Sequence, residues 1–64
     1  MPALKLYLER NRIGDAGMSA FASACASGAL APGAVVFLGY NMATETGKQA
    51  MRDAAKARGL RVHF

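Results

Sequence analysis

The 64-residue chain contains one pattern twice. With Asn11 set over Asn41, thirty residues further on, Leu6 falls on Val36, Leu8 on Leu38, Gly17 on Gly47 and Ala20 on Ala50. At the same offset Phe21 falls on Met51, Ala24 on Ala54 and Leu30 on Leu60. The stretches LYLERNRIGDAGMSAFASACASGAL and VFLGYNMATETGKQAMRDAAKARGL are therefore two copies of one unit, and GLRVHF opens a third. A fixed period of this length means that each copy builds the same supersecondary unit and buries its apolar side against a neighbour. The copies occupy about residues 3–32 and 33–59, with a partial copy at 60–64, in a single domain.

Each copy opens with a short strand of alternating apolar residues: Leu4, Leu6 and Leu8, then Val36 and Leu38, then Val62 and Phe64. Period two directs these to one buried face. The Asn follows where the chain leaves the sheet. Backbone groups lose their ladder partners there, and a buried Asn amide supplies both a donor and an acceptor. On this reading Asn11 and Asn41 hold their corners, while Ile13 and Ala43 plug the core beneath.

Gly14 or Thr44 then starts a helix, with Asp15 or Glu45 in the first turn, where a carboxylate suits the positive end of the helix dipole. Each helix is expected to bury an i, i+3, i+4, i+7 stripe: Gly17, Ala20, Phe21 and Ala24, then Gly47, Ala50, Met51 and Ala54. Gly17 and Gly47 would bring the helix backbone close to the sheet. Gly28 and Gly59 stand near the C-terminal caps.

The pattern L-x-L-x-x-N-x-I-G-x-x-G is met by Leu6, Leu8, Asn11, Ile13, Gly14 and Gly17, and more loosely by Val36, Leu38, Asn41, Ala43, Thr44 and Gly47. In this the chain resembles the leucine-rich repeat family, in its ribonuclease-inhibitor-like class with a full helix per repeat. The resemblance covers nearly the whole chain. It implies an α/β leucine-rich-repeat solenoid of two strand–turn–helix units plus a C-terminal strand, with a parallel sheet on the concave face. The 30-residue spacing exceeds the family's usual 20–29. The extra residues fall in ALAPGAVV, a long return from helix to strand; Val36 to Val62 is 26 residues, so the second return is shorter.

The residues between the buried strand positions would line that concavity. Aligned copies set Lys5, Val35 and Arg61 in one row and Tyr7, Phe37 and His63 in the next. Arg10 and Tyr40 form a third, with Glu9 beside Gly39. Strands about 4.8 Å apart allow Tyr7, Phe37 and His63 to make an exposed aromatic ladder. Such a ladder can simply stabilise a sheet, or it can contact a partner, because exposed aromatics mark binding surfaces. The candidate protein-binding residues are Lys5, Tyr7, Glu9, Arg10, Phe37, Tyr40, Arg61 and His63.

A second stripe, Lys48, Arg52 and Lys56 with Arg58, recurs every four residues along the second helix. It is a solvated face with cations suited to a helix C-terminus, or else a phosphate-binding surface. Ser19, Ser23 and Ser27 occupy the first helix instead, so the stripe does not continue and nucleic acid is a minor alternative. TETGKQ fails the phosphate-loop pattern, with Met42 where Gly is required and Gln49 where Ser or Thr is required. GDAG is no dinucleotide fingerprint.

Catalysis has little to work with: His63 stands alone, Cys25 reads as a small core residue, and four scattered carboxylates form no pair or metal cluster. The reading is a non-catalytic protein–protein interaction scaffold without cofactor or metal. Some relatives in the resembled class activate small GTPases, which makes an accessory to GTPase regulation a further alternative.

A net charge of +4 permits an acidic partner without requiring one. One cysteine cannot make an internal disulfide, which suits a reducing compartment. No apolar run is long enough to span a bilayer, and MPALKLYLERNR lacks a signal-peptide plan. The expectation is an intracellular, cytoplasmic chain with no membrane contact. Two full units without a polar cap leave both outer strands unpaired, blunted only slightly by Pro2 and Lys5, which predicts self-association through the sheet edges.

Overall fold

The structure, a computed structural model, describes residues 4–64. Pro2 and the start of the first copy at residue 3 lie outside them. The elements in chain order are β1 (Lys5–Tyr7), α1 (Asp15–Ala26), β2 (Val35–Phe37), α2 (Glu45–Arg58) and β3 (Arg61–His63). The strands form one parallel sheet in the order β1-β2-β3, and the chain is a small α/β domain. Lys5 pairs with Val35 and Val35 with Arg61; Tyr7 pairs with Phe37 and Phe37 with His63. The 30-residue offset read from the sequence is thus the register between β1 and β2.

Alternation along the strands sends Val36 into the core, fully buried, and Leu6 and Val62 beside it. The helices cover that side of the sheet with Met18, Ala22 and Cys25 from α1 and Met51, Ala54 and Ala55 from α2. Most of these side chains are small. The core is correspondingly thin for a chain that, at this length, buries only about 60 % of its unfolded surface. At the sheet margins burial fades: Leu4 is 51 % exposed and Phe64 40 %. Both had been expected on the buried face. They flank edge strands, where a neighbour covers one side only.

The helix boundaries follow the sequence signals. Gly14 and Thr44 are the N-caps, Asp15 and Glu45 stand in the first turns, and α2 stops at Gly59 in the left-handed region. Gly28, just past α1, also has positive φ. The long return occupies residues 27–34, against only Gly59 and Leu60 between α2 and β3.

The buried stripe of α1 differs from expectation. Met18, Ala22 and Cys25 are buried and Phe21 half-buried, while Gly17, Ala20 and Ala24 are exposed. In α2 the expected stripe holds, with Gly47, Met51 and Ala54 buried and Ala50 half-buried. The cause is position in the array. Residues of the Gly47 stripe look back towards α1, so their α1 equivalents look away from α2, towards a side on which no described element packs.

Gly47 is close to α1 rather than to the sheet. A Cβ placed there would sit 2.5 Å from Asp15 Oδ1 and 3.1 Å from Asp15 Cα. At Gly17 the nearest neighbour would be a single methyl of Ile13, at 3.0 Å. The other end of the helix seam is tied by Arg58, whose Nε donates to the Ala26 carbonyl at 2.7 Å. That contact gives α1, which has no basic residue in its last turn, a cation at its C-terminus.

The two glycines therefore respond differently to the same change. Gly47→Ala is expected to cost about 1–3 kcal/mol through overpacking against backbone. Gly17→Ala is expected to cost clearly less, because only a side-chain methyl must give way and Ala is the better helix former. Urea denaturation of the two variants side by side measures the difference.

Candidate functional site

The open side of the sheet carries the residues that alternate with the core positions. Parallel, in-register strands stack the rings of equivalent positions. Tyr7 and Phe37 have centroids 4.8 Å apart and planes 3° from parallel, and Phe37 and His63 are 5.1 Å apart at 15°. The spacing is the strand spacing itself, and each stack adds about 0.5–1.5 kcal/mol beyond area burial. The expected ladder is present, with Tyr7 63 % exposed at its open end. Lys5 and Arg61 flank it, both exposed, with half-buried Val35 between them.

Arg10 and Tyr40 close the face at the strand ends. Both adopt left-handed backbone, φ 59° and 57°, as does Arg12 at 56°. For residues with a Cβ this conformation costs about 1–2 kcal/mol each. At Arg10 and Tyr40 it recurs at the same place in both copies, whereas Met42, the equivalent of Arg12, does not adopt it. The result is a guanidinium 4.8 Å from the Tyr40 ring centroid, with Tyr40 80 % exposed. Glu9 is exposed beside them, and the Arg10 N–H donates to Gly39 O at 3.1 Å. All eight residues named from the sequence thus lie on or beside one surface, three of them in a single stacked row.

Beneath this face, the corner between strand and helix is organised by one side chain. Asn41 Oδ1 accepts the N–H of Asn11 at 2.8 Å and of Ile13 at 3.0 Å. Its Nδ2 donates to Leu8 O at 2.9 Å and to Leu38 O at 2.8 Å. One carboxamide therefore joins the first corner to the second. Asn11, expected to do the same for its own corner, is exposed, and its Nδ2 donates only to Glu9 O at 3.2 Å. The amide reaches back to the preceding corner, and among the described residues no such corner precedes that of Asn11.

A second link lies alongside. Asp15 accepts from the Thr44 N–H at 2.7 Å and the Thr44 hydroxyl at 2.6 Å. These bonds, from the Thr44 side chain first and its backbone second, hold the Asp15 carboxyl below its ordinary value of 3.8. A first-turn carboxylate thus serves the start of the neighbouring helix.

The basic stripe is partly engaged. Arg52 and Lys48 lie over the Phe64 ring at 5.2 and 5.9 Å, and Arg52 pairs with Glu45 at 3.1 Å. Phe64 as a seat for cations was not foreseen. The available signal was a pair of cations one helical turn apart beside a strand that ends in an aromatic. Cys25 is fully buried, and desolvation raises its thiol pKa. Among the described residues no three His, Cys, Asp or Glu converge to hold a metal, and no helix is long and apolar enough to cross a membrane. Comparison with protein-family models, curated proteins and solved structures finds no match.

The asymmetry of the two Asn residues has a direct consequence. Asn41→Ala leaves N–H and C=O groups of both corners without partners and is expected to cost about 1–3 kcal/mol. Asn11→Ala, at an exposed position, is expected to stay within about 0.5 kcal/mol of wild type. Chemical denaturation midpoints of the two variants provide the comparison.

Proposed function

We propose that the chain is a leucine-rich-repeat module of the ribonuclease-inhibitor-like class, whose open strand face binds a protein partner without catalysis. The observation that carries this reading is the stacked row of Tyr7, Phe37 and His63, solvent-facing and bordered by Lys5, Arg61 and the Arg10–Tyr40 pair. Aromatic and Arg residues contribute most to protein interfaces because they bury much area at low entropic cost. The left-handed backbone at Arg10 and Tyr40 supports the same reading, since strain kept at equivalent places tends to mark a surface held for use. The repeat reading rests on the 30-residue register between β1 and β2 and on the Asn41 bridge between corners. The unpaired outer edges of β1 and β3 favour self-association as a secondary property.

Nucleic acid is disfavoured because Lys48 and Arg52 already engage Phe64 and Glu45. The discriminating experiment is capture by the immobilised chain, with captured proteins identified by mass spectrometry. Tyr7→Ser with Phe37→Ser is expected to abolish capture while circular dichroism stays unchanged, and Lys56→Glu is expected to leave it intact. Salt-sensitive retention of RNA or DNA that survives the aromatic changes would overturn the reading.

A further inference from the structure

The charges of the chain are divided between its two layers. Asp15, Glu45 and Asp53 belong to the helices, and each is engaged there: Asp15 with Thr44, Glu45 with Arg52 and Lys48, and Asp53 with the Gln49 amide. The strand side carries Lys5, Arg10 and Arg61 against a single carboxylate, Glu9, and all four are exposed. Among the described residues no carboxylate makes an ion pair with any of these three cations. Their spacing is fixed by the sheet. Lys5 and Arg61 pair with Val35 from opposite sides. Their Cα atoms therefore stand two strand spacings apart, about 9.6 Å. Val35 lies between them and Phe37 in the next row, both half-buried.

We propose that this face takes an acidic protein segment that presents an apolar side chain between two carboxylates. The proposal rests on the strand-face reading and supplies the chemistry of its partner. The apolar side chain covers Val35 and packs on the Phe37 ring, while the carboxylates meet Lys5 and Arg61, which have no counter-ion to give up. Arg10, its guanidinium held against the Tyr40 ring, offers N–H donors to a further acid beyond the aromatic row. In an extended segment the pattern acid-x-apolar-x-acid puts all three side chains on one face, each acid about 6.8 Å from the centre. The long Lys and Arg stems span the difference from the strand spacing. A basic segment would meet three uncompensated cations with only Glu9 in return. Three cations are also few for a nucleic acid, whose binding rests on many phosphate contacts at once.

The probes are the peptides acetyl-GESFSEG-amide, its basic counterpart acetyl-GKSFSKG-amide and acetyl-GESGSEG-amide, titrated into the ¹⁵N-labelled chain. The first is expected to move the amide resonances of Lys5, Val35, Phe37 and Arg61. Its affinity is expected to fall between about 50 and about 500 mM salt, as exposed charges are screened. The basic peptide is expected to leave these resonances unmoved, and the peptide with glycine at its centre to bind more weakly than the first. Arg61→Glu is expected to weaken the acidic peptide about fivefold to tenfold, by turning one attraction into a repulsion. Lys56→Glu, the same change in net charge on the helix layer, is expected to alter it by less than about twofold. Unchanged α1 and α2 resonances show that both variants are folded. No movement with the acidic peptide, equal binding of the basic one, or equal weakening by the two variants would each overturn the proposal. So would a single-stranded oligonucleotide that moves the same resonances at lower concentration. Failure of the acidic peptide, with protein capture still lost in the Tyr7→Ser, Phe37→Ser chain, would overturn the acidic partner alone and leave the strand-face reading standing.

Discussion

Three hydrogen bonds from one carboxamide connect the two halves of this domain, and a fourth, to Leu38 O, fixes it in its own corner. Strands of three residues offer few ladder bonds, and both corners lift backbone N–H and C=O groups out of the sheet. Burying such groups without partners costs about 1–3 kcal/mol apiece, comparable to the whole margin available to a chain of this size. Asn41 satisfies donors at Asn11 and Ile13 and acceptors at Leu8 and Leu38 together. With that bridge made, the two strands are held in register, and the register stacks Tyr7 on Phe37 and His63. The candidate interaction face is thus a consequence of how the corners are satisfied.

The helix layer is tied to the same corners. Asp15 bonds the start of α2 through Thr44, Gly47 lets that helix close on Asp15, and Arg58 returns to the last turn of α1. Polar links at both ends of the seam compensate for a core made largely of Ala, Met and Leu. The direction of these contacts is consistent. Asn41 and Gly47 each address the preceding unit, so the first unit receives contacts that its own Asn11 and Gly17 do not make in return.

Much of this was readable in the chain. Alternation at Leu6, Val36 and Val62, with offsets of 30 residues from β1 to β2 and 26 from β2 to β3, aligned equivalent positions of three strands, and the resemblance to leucine-rich repeats implied that the strands run parallel. The same two offsets led to the ring stack, since parallel strands bring equivalent positions together. Direction along the array was not readable. Two matching copies look alike in sequence whether an Asn serves its own corner or the one before it, so Asn11 and Asn41 were given equal roles that the fold distributes unequally. The α1 stripe was misjudged for the same reason: Gly17, Ala20 and Ala24 match their α2 counterparts, but burial depends on which side has a neighbour. Phe64 was assigned inward by alternation alone, and the Lys48 and Arg52 side chains claim it instead.

The central claim is that the Asn41 carboxamide joins both units into one cooperative structure. Native-state hydrogen exchange at the amides it bonds tests this most directly. The account predicts that the Asn11 and Ile13 amides are protected and open only with the core amides of α1 and α2. Exchange at Asn11 and Ile13 as fast as in an unstructured peptide, with the helices still protected, would contradict it.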